Sequence, residues 1–235
     1  MNNNTNFKTF FLISNEKLII IVNDILKKQI VYKKEFLIDV STYNFDLSLI
    51  EKFLNNHIFE IEKTLNNFIN NIYLIVDHKD FFSIEISLKE NNYGNSIDFK
   101  KIGHLLAEAR EQCKKTINDR KIIHMIIDNY LIDNKKFNHL PEDTKCDFFS
   151  LDLRIICFSN ELIRNLEEIF KKYQISVDQI LYYKYLQNYK KLNNKNDIFN
   201  IAEEVLAGSN QNEAFITSKI TKKLGFFEKF FFFFS

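Results

Sequence analysis

The chain switches repeatedly between two hydrophobic periods, and this restricts it to a mixed α/β fold with mixed sheets. Short apolar runs of strand length alternate with longer stretches whose apolar residues recur every three or four positions. Residues 7–13 and 17–22 (KLIIIV) are split by Ser14, Asn15 and Glu16 and predict a β-hairpin. Residues 30–38 predict a third strand. Asp46 is placed to cap a helix reaching about Phe68, with Leu47, Ile50, Leu54, Ile58, Ile61, Leu65 and Phe68 along one face. Residues 72–76 (IYLIV) predict a buried strand, and Phe82, Ile84, Ile86 and Leu88 alternate as in a half-buried one.

The same reading continues to the polar stretch near residue 190. Asn91–Asn95, with Gly94, predicts a turn, and Ser96 a helix cap for a helix to about Ile117. Lys121–Asp133 predicts a long strand, Asn134–Thr144 a loop around Pro141, and Leu151–Phe158 another strand. Ser159 opens a helix ending near Tyr173. Ser176–Tyr189 begins as a strand and turns helical. Lys190–Asn196 predicts a solvated linker, and residues 197–207 a short acidic amphipathic helix.

The 235 residues allow one domain or two small ones. Net charge is +1, so no global field favours nucleic acid. Asn, Lys, Ile and Phe abound and Trp is absent, a pattern writable with A/T-rich codons; lysine and asparagine clusters therefore carry little information. Cys113, Cys146 and Cys157 are widely spaced, which predicts free thiols in a reducing compartment. The start MNNNTNFK has no signal-peptide pattern, and no apolar run approaches the roughly 20 residues of a spanning helix.

Chemistry has few footholds. Gly94, Gly103, Gly208 and Gly225 are isolated, so no glycine-rich phosphate loop can be drawn. His57, His78, His104, His124 and His139 form no metal-binding pair, and no GxSxG motif offers a nucleophile. The expectation is no catalytic residue, no metal and no cofactor. His124, inside an apolar strand, is expected to be a hydrogen-bonded structural residue, and His78 to lie in a loop. Glu167 and Glu168 fit a solvated helix face. Tyr182, Tyr183, Tyr185 and Tyr189 fit packing against a helix.

The last stretch, FITSKITKKLGFFEKFFFFFS, differs in kind. On a helical wheel Ile216, Ile220, Leu224, Phe227, Phe231 and Phe234 share one face, with Lys219, Lys222 and Lys229 opposite. Basic residues opposite large aromatics predict a helix lying in a membrane interface. The contact residues would be Ile216, Lys219, Ile220, Lys222, Lys223, Leu224, Phe226, Phe227, Lys229, Phe230 and Phe231. The homopolymeric run Phe230–Phe234 adds apolar area and is an aggregation hazard.

In order, the middle of the chain resembles the FtsA family, actin-like bacterial cell-division proteins that tie FtsZ filaments to the membrane. The most specific stretch is Lys121–Tyr130 (KIIHMIIDNY), similar to the family's strand [RK]-I-[IL]-H-x-[IL]-P-x-x-[YF]. His124 and Tyr130 match, and Ile127 replaces the proline. Leu153–Leu181 is similar to the family's strand, helix and V-[DE]-x-[LI] segment, closest at Val177-Asp178-Gln179-Ile180. The resemblance implies a partial actin-like, ribonuclease H-like first lobe with an inserted strand–helix–strand–strand domain. The implied layout is a lobe over 1–81, the insertion over 82–175 and the returning lobe over 176–191. A linker with a short helix would span 192–212, and a membrane-targeting helix 213–235.

The hairpin FLISNEKLIIIV stands where the family has a phosphate loop, [LV]-D-[IV]-G-[TS]-x-K. Lys17 matches. Leu12 replaces an Asp associated with Mg²⁺, Ser14 replaces the Gly, and Asn15 replaces Thr or Ser. The family's second phosphate loop and second lobe have no counterpart after Tyr189. The resemblance therefore implies a non-enzymatic adaptor, peripherally bound to the inner face of the cell membrane at mid-cell. Its implied partners are division proteins, or its own copies through the inserted domain, with FtsZ contact and ATP binding in doubt. Two alternatives stay open: an actin-like ATPase or type IV pilus assembly relative, and a decaying FtsA paralogue without a role.

Overall fold

A computed structural model describes residues 6–38, 46–141, 143–192 and 197–214. Contacts divide the chain into two compact units. One gathers the residues up to Lys79 and from Glu161 to Ala202; the other gathers Asp80–Asn160 and the residues from Glu203 on.

The first unit is built on a five-stranded sheet. β1 (Phe7–Ile13), β2 (Lys17–Asp24) and β3 (Gln29–Leu37) form an antiparallel meander. β4 (Asn71–Val76) lies parallel to β1, and β9 (Ser176–Tyr182) parallel to β4. The strand order is β3-β2-β1-β4-β9. Phe10, Phe11, Leu12 and Ile13 on β1 are all buried, so this strand has no solvent face. That explains its unbroken apolar run: a strand covered on both sides has no polar alternation.

Each face of β1 has its own cover. Phe11 stacks on Phe53 of α1 (Leu47–Leu65) at 5.6 Å and meets Phe170 of α3 (Asn160–Lys171) edge-on at 5.9 Å. Phe10 meets Phe199 of α5 (Ile198–Leu206) at 6.3 Å. α1 begins where expected, because the Asp46 carboxylate accepts the Ser48 N–H at 2.8 Å. It ends at Asn66 in the left-handed conformation, φ 49°. Phe68 lies beyond that stop and is 73 % exposed, not on the buried face.

The second unit is a four-stranded antiparallel sheet of order β5-β8-β6-β7. Its strands are β5 (Phe81–Ser96), β6 (Arg120–Ile132), β7 (Lys135–Phe137) and β8 (Lys145–Ser159). One face carries α2 (Phe99–Thr116). Ile102, Leu106 and Ala109 of that helix bury against Met125, Leu151, Leu153 and Ile155.

Several boundaries differ from expectation for local reasons. Ser96 pairs with Lys145 in the ladder, so Asp98 caps α2 instead, accepting from the Lys100 N–H at 2.9 Å. Residues 91–95 make a bulge inside β5 rather than ending it, with Tyr93 and Gly94 at φ 51° and 74°. The proposed loop 134–144 contains β7, paired with β6. The second unit's first segment runs over 80–160, where the expected insertion ran over 82–175, and α3 falls in the first unit with Phe170 against Phe11. The helix assigned to a linker over 192–212 is part of the folded body: Phe199, Ile201, Ala202 and Val205 are all buried.

Replacing Phe11 by Ala should lower the unfolding free energy by about 4 kcal/mol, the range for emptying a fully buried aromatic site. Phe59→Ala, on the same helix as Phe53 but 74 % exposed, should change it by less than about 0.5 kcal/mol. Urea denaturation of the two variants compares them directly.

Candidate functional site

Ligands of open α/β sheets gather beyond the carboxyl ends of the parallel strands. Here those ends are Ile13–Ser14 on β1, Val76–Asp77 on β4 and Tyr182 on β9. The four aligned phosphate-loop positions fall at the first of them. Leu12 is buried and pairs with Ile75 across the parallel ladder, which leaves an aliphatic group where the family's carboxylate would be. Ser14 closes the turn with its own side chain. Its Oγ donates to the Lys17 carbonyl at 3.0 Å and accepts from the Glu16 and Lys17 N–H groups at 3.4 and 3.1 Å. Those N–H groups are the kind that cradle a phosphate, and here a hydroxyl occupies them. Lys17 Nζ pairs with Glu35 at 3.3 Å, along the sheet rather than toward the turn. Asn15 sits in the turn itself.

The other strand ends bring in residues that sequence reasoning passed over. The Asp77 N–H donates to the Ile13 carbonyl at 2.8 Å, fixing this carboxylate beside the hairpin. Burial pushes the Asp77 carboxyl above its ordinary range; nearby Lys184 and His78 oppose the shift, and Glu16 adds to it. Lys184 Nζ stands 3.9 Å from it. Burial, with the Asp77 charge, pushes the Tyr182 phenol up to about 12. The available signal was an Asp directly after a buried strand, IYLIV, at the end where ligands collect. A carboxylate–ammonium pair is present here, but the hairpin beside it offers no open amide cradle. Among the described residues no cluster of His, Cys, Asp and Glu could hold a metal ion.

The second unit holds the other notable arrangement. Met125–Ile127 of β6 receives a short strap of chain, residues 212–214, on the edge away from β8. The Ile127 N–H donates to the Asn212 carbonyl at 2.7 Å, and the Ala214 N–H to the Met125 carbonyl at 2.8 Å. Between them Ile126 and Glu213 pair antiparallel. Glu213 Oε1 lies 2.6 Å from His124 Nδ1, with both side chains almost wholly buried. His124 is thus hydrogen-bonded and structural, as its strand position predicts. Its partner, 89 residues away, was not visible in the sequence. Asn212 adds a bond from its amide to the Asn138 carbonyl at 2.7 Å.

This strap corrects the tail's start. Glu213 and Ala214 are buried in the second unit, so they do not belong to the tail expected over 213–235. The contact residues expected there, from Ile216 to Phe231, lie outside the described residues. No helix among the described residues is long and apolar enough to cross a membrane. The three cysteines are free and buried, and burial pushes the Cys157 thiol up to about 12.

No family model and no curated protein matches this sequence. Solved structures do. A PilM–PilN type IV pilus biogenesis complex is similar at 7 % identity and TM-score 0.47, over 77 % of this chain and 49 % of that one. The cytoplasmic domain of EpsL, an inner-membrane component of the Vibrio cholerae type II secretion system, is similar at 7 % identity and TM-score 0.37, over 75 % and 56 %. A Bacteroides thetaiotaomicron protein with an actin-like ATPase fold is similar at 10 % identity and TM-score 0.32, over 79 % and 56 %. The chain spans about half the length of these structures. The mixed α/β build is as expected. In the first unit it takes the form of an antiparallel meander extended by two parallel strands.

Breaking a hydrogen bond between two side chains this deeply buried costs about 3 kcal/mol. Glu213→Ala should lose that much stability in urea denaturation. Glu213→Gln, which keeps a hydrogen-bonding group, should lose clearly less.

Proposed function

We propose that this chain is an FtsA-like cell-division protein: a peripheral membrane adaptor or scaffold on the cytoplasmic face, at the division site, without nucleotide hydrolysis. The observation that carries the membrane part is the sequence of residues 215–235, whose lysines and large apolar residues separate onto opposite helical faces. The strap supports it, because it ties the preceding residue, Ala214, to the second unit's sheet. The division-site assignment rests on the motif around His124 and Tyr130 and on the VDQI segment. Its partners would be division proteins or further copies of the chain meeting at the second unit.

Absence of hydrolysis is supported by the Ser14 hydroxyl sitting on the Glu16 and Lys17 amides and by Leu12 in place of a carboxylate. The second reading, an actin-like ATPase or pilus-assembly relative, is favoured by one observation, the Asp77–Lys184 pair at the carboxyl ends of the parallel strands.

Two measurements decide between them. Deleting residues 215–235, and not Glu213 or Ala214, should move a tagged protein from the membrane fraction and mid-cell to the cytosol. Retention at the membrane would refute the anchor. Calorimetry of the full chain with Mg-ATP should give no heat of binding up to about millimolar nucleotide. Micromolar affinity would establish the ATPase reading instead.

A further inference from the structure

Among the described residues, β5 pairs with β8 alone and so forms one border of the second unit's sheet. Its ladder with β8 is unbroken from Phe81 to Asn91, ahead of the bulge. This border has no proline and no bulge along that length, and its charges are Glu85 and Lys89 on one face and Glu90 on the α2 face. On the α2 face Ile84, Ile86 and Leu88 pack against the core but are only partly buried. On the opposite face Ser83, Glu85, Ser87, Lys89 and Asn91 are exposed. β3, the border strand of the other sheet, differs: it carries adjacent lysines, Lys33 and Lys34, of the kind that discourage strand pairing.

The β5 sequence is complementary to itself when reversed. Set antiparallel to a second copy with Ser87 on the two-fold axis, Glu85 falls opposite the second copy's Lys89, and Lys89 opposite its Glu85. Ile86 falls opposite Leu88 on the α2 face, and Ser83 opposite Asn91. Both charge pairs are attractive and Ile86 meets Leu88 on either side of the axis, while Ile84 falls opposite the second copy's Glu90. Neighbouring registers lose the two charge pairs. Centring on Ile86 sets Glu85 against Ser87 and Ser83 against Lys89, while centring on Leu88 sets Glu85 against Asn91. Direct opposition is the geometry in which cross-strand pairs interact, and an isologous contact requires this self-match.

We infer that the chain forms a two-fold dimer by antiparallel pairing of β5 with β5 of a second copy, joining the two four-stranded sheets into one of eight strands. Ser87 lies on the axis, flanked by two Glu85–Lys89 pairs. This deepens the scaffold reading by naming its self-association surface, and it needs neither the membrane nor the tail. In the single chain Lys89 Nζ rests 3.9 Å from the centre of the Phe148 ring on β8, and pairing with the second copy's Glu85 turns it toward the border.

Charge exchange tests the register. Sedimentation of the full chain from about 1 to about 200 µM should show a monomer–dimer equilibrium. Glu85→Lys alone, and Lys89→Glu alone, each place like charges opposite at two symmetric positions and should weaken it about tenfold. The double variant Glu85→Lys/Lys89→Glu should restore it. Ser87→Cys should cross-link to itself under mild oxidation, since directly opposite residues bring their Cα atoms within disulfide range, while Ser83→Cys should not. A monomer throughout that range overturns the inference. So does a dimer that ignores the reversals or is not rescued by the exchange. Failure of the tail deletion to release the protein from the membrane would leave these outcomes unchanged.

Discussion

The first unit depends on β1 being buried on both faces. Phe11 holds α1 and α3 on one side through Phe53 and Phe170, and Phe10 meets Phe199 of α5 on the other. Three helices from three distant parts of the chain thereby converge on two adjacent residues. A strand with both faces covered must exchange all its backbone groups with neighbours, and β1 does so with β2 and β4. The same requirement shapes the turn after it. With Leu12 and Ile13 buried and Ser14 only 7 % exposed, the turn amides need a partner, and the Ser14 hydroxyl supplies one. A glycine at position 14 would leave those amides facing outward. One residue therefore separates a turn that satisfies itself from one that must bind an anion or water.

The sequence made the elements legible wherever a single period ran long enough. The β1–β2 hairpin, α1 with its Asp46 cap, β4 and the change from β9 to helix at Tyr183 lie close to where periodicity and capping put them. The misses share a cause: each was decided by a partner far away in sequence. α3 follows the second unit's last strand without a break, yet packs into the first unit because Phe170 finds Phe11. Residues 197–207 look like a modest amphipathic helix in a polar stretch, and only the presence of Phe10 makes Phe199 a core residue. Asn91–Asn95 has turn chemistry, but the ladder to Cys146 and Lys145 recaptures the strand beyond it.

The residues of the candidate sites follow the same division. The departures of Leu12, Ser14 and Asn15 from the resembled phosphate loop were visible because they sit inside a local motif. Asp77 was not singled out, since an Asp after a strand is common and only the parallel β1–β4 pairing makes its position notable. Glu213 was hidden more deeply: it lies in a polar run, QNEA, where the expected layout passes from linker to membrane-targeting helix. Its burial becomes reasonable only once His124 is seen facing it across the border of β6. A buried polar residue in a strand signals that a partner exists without saying where.

The strap and the β5 border lie on opposite sides of one sheet, and this matters for how such a chain would hold a surface. Counting across the proposed dimer from strap to strap gives seven inter-strand steps, or about 34 Å at the usual strand spacing. A two-fold axis perpendicular to the sheet keeps both α2 helices on one side and places the two straps at its two outer borders. Each copy's segment after Ala214 would start from such a border. One amphipathic segment holds a membrane weakly and reversibly. Two segments starting a fixed distance apart on one rigid body bind with the second event made intramolecular, so occupancy rises without any new lipid contact. If residues 215–235 bind a membrane as proposed, the buried His124–Glu213 pair would do more than stabilise: it would fix the point on the second unit from which that segment starts.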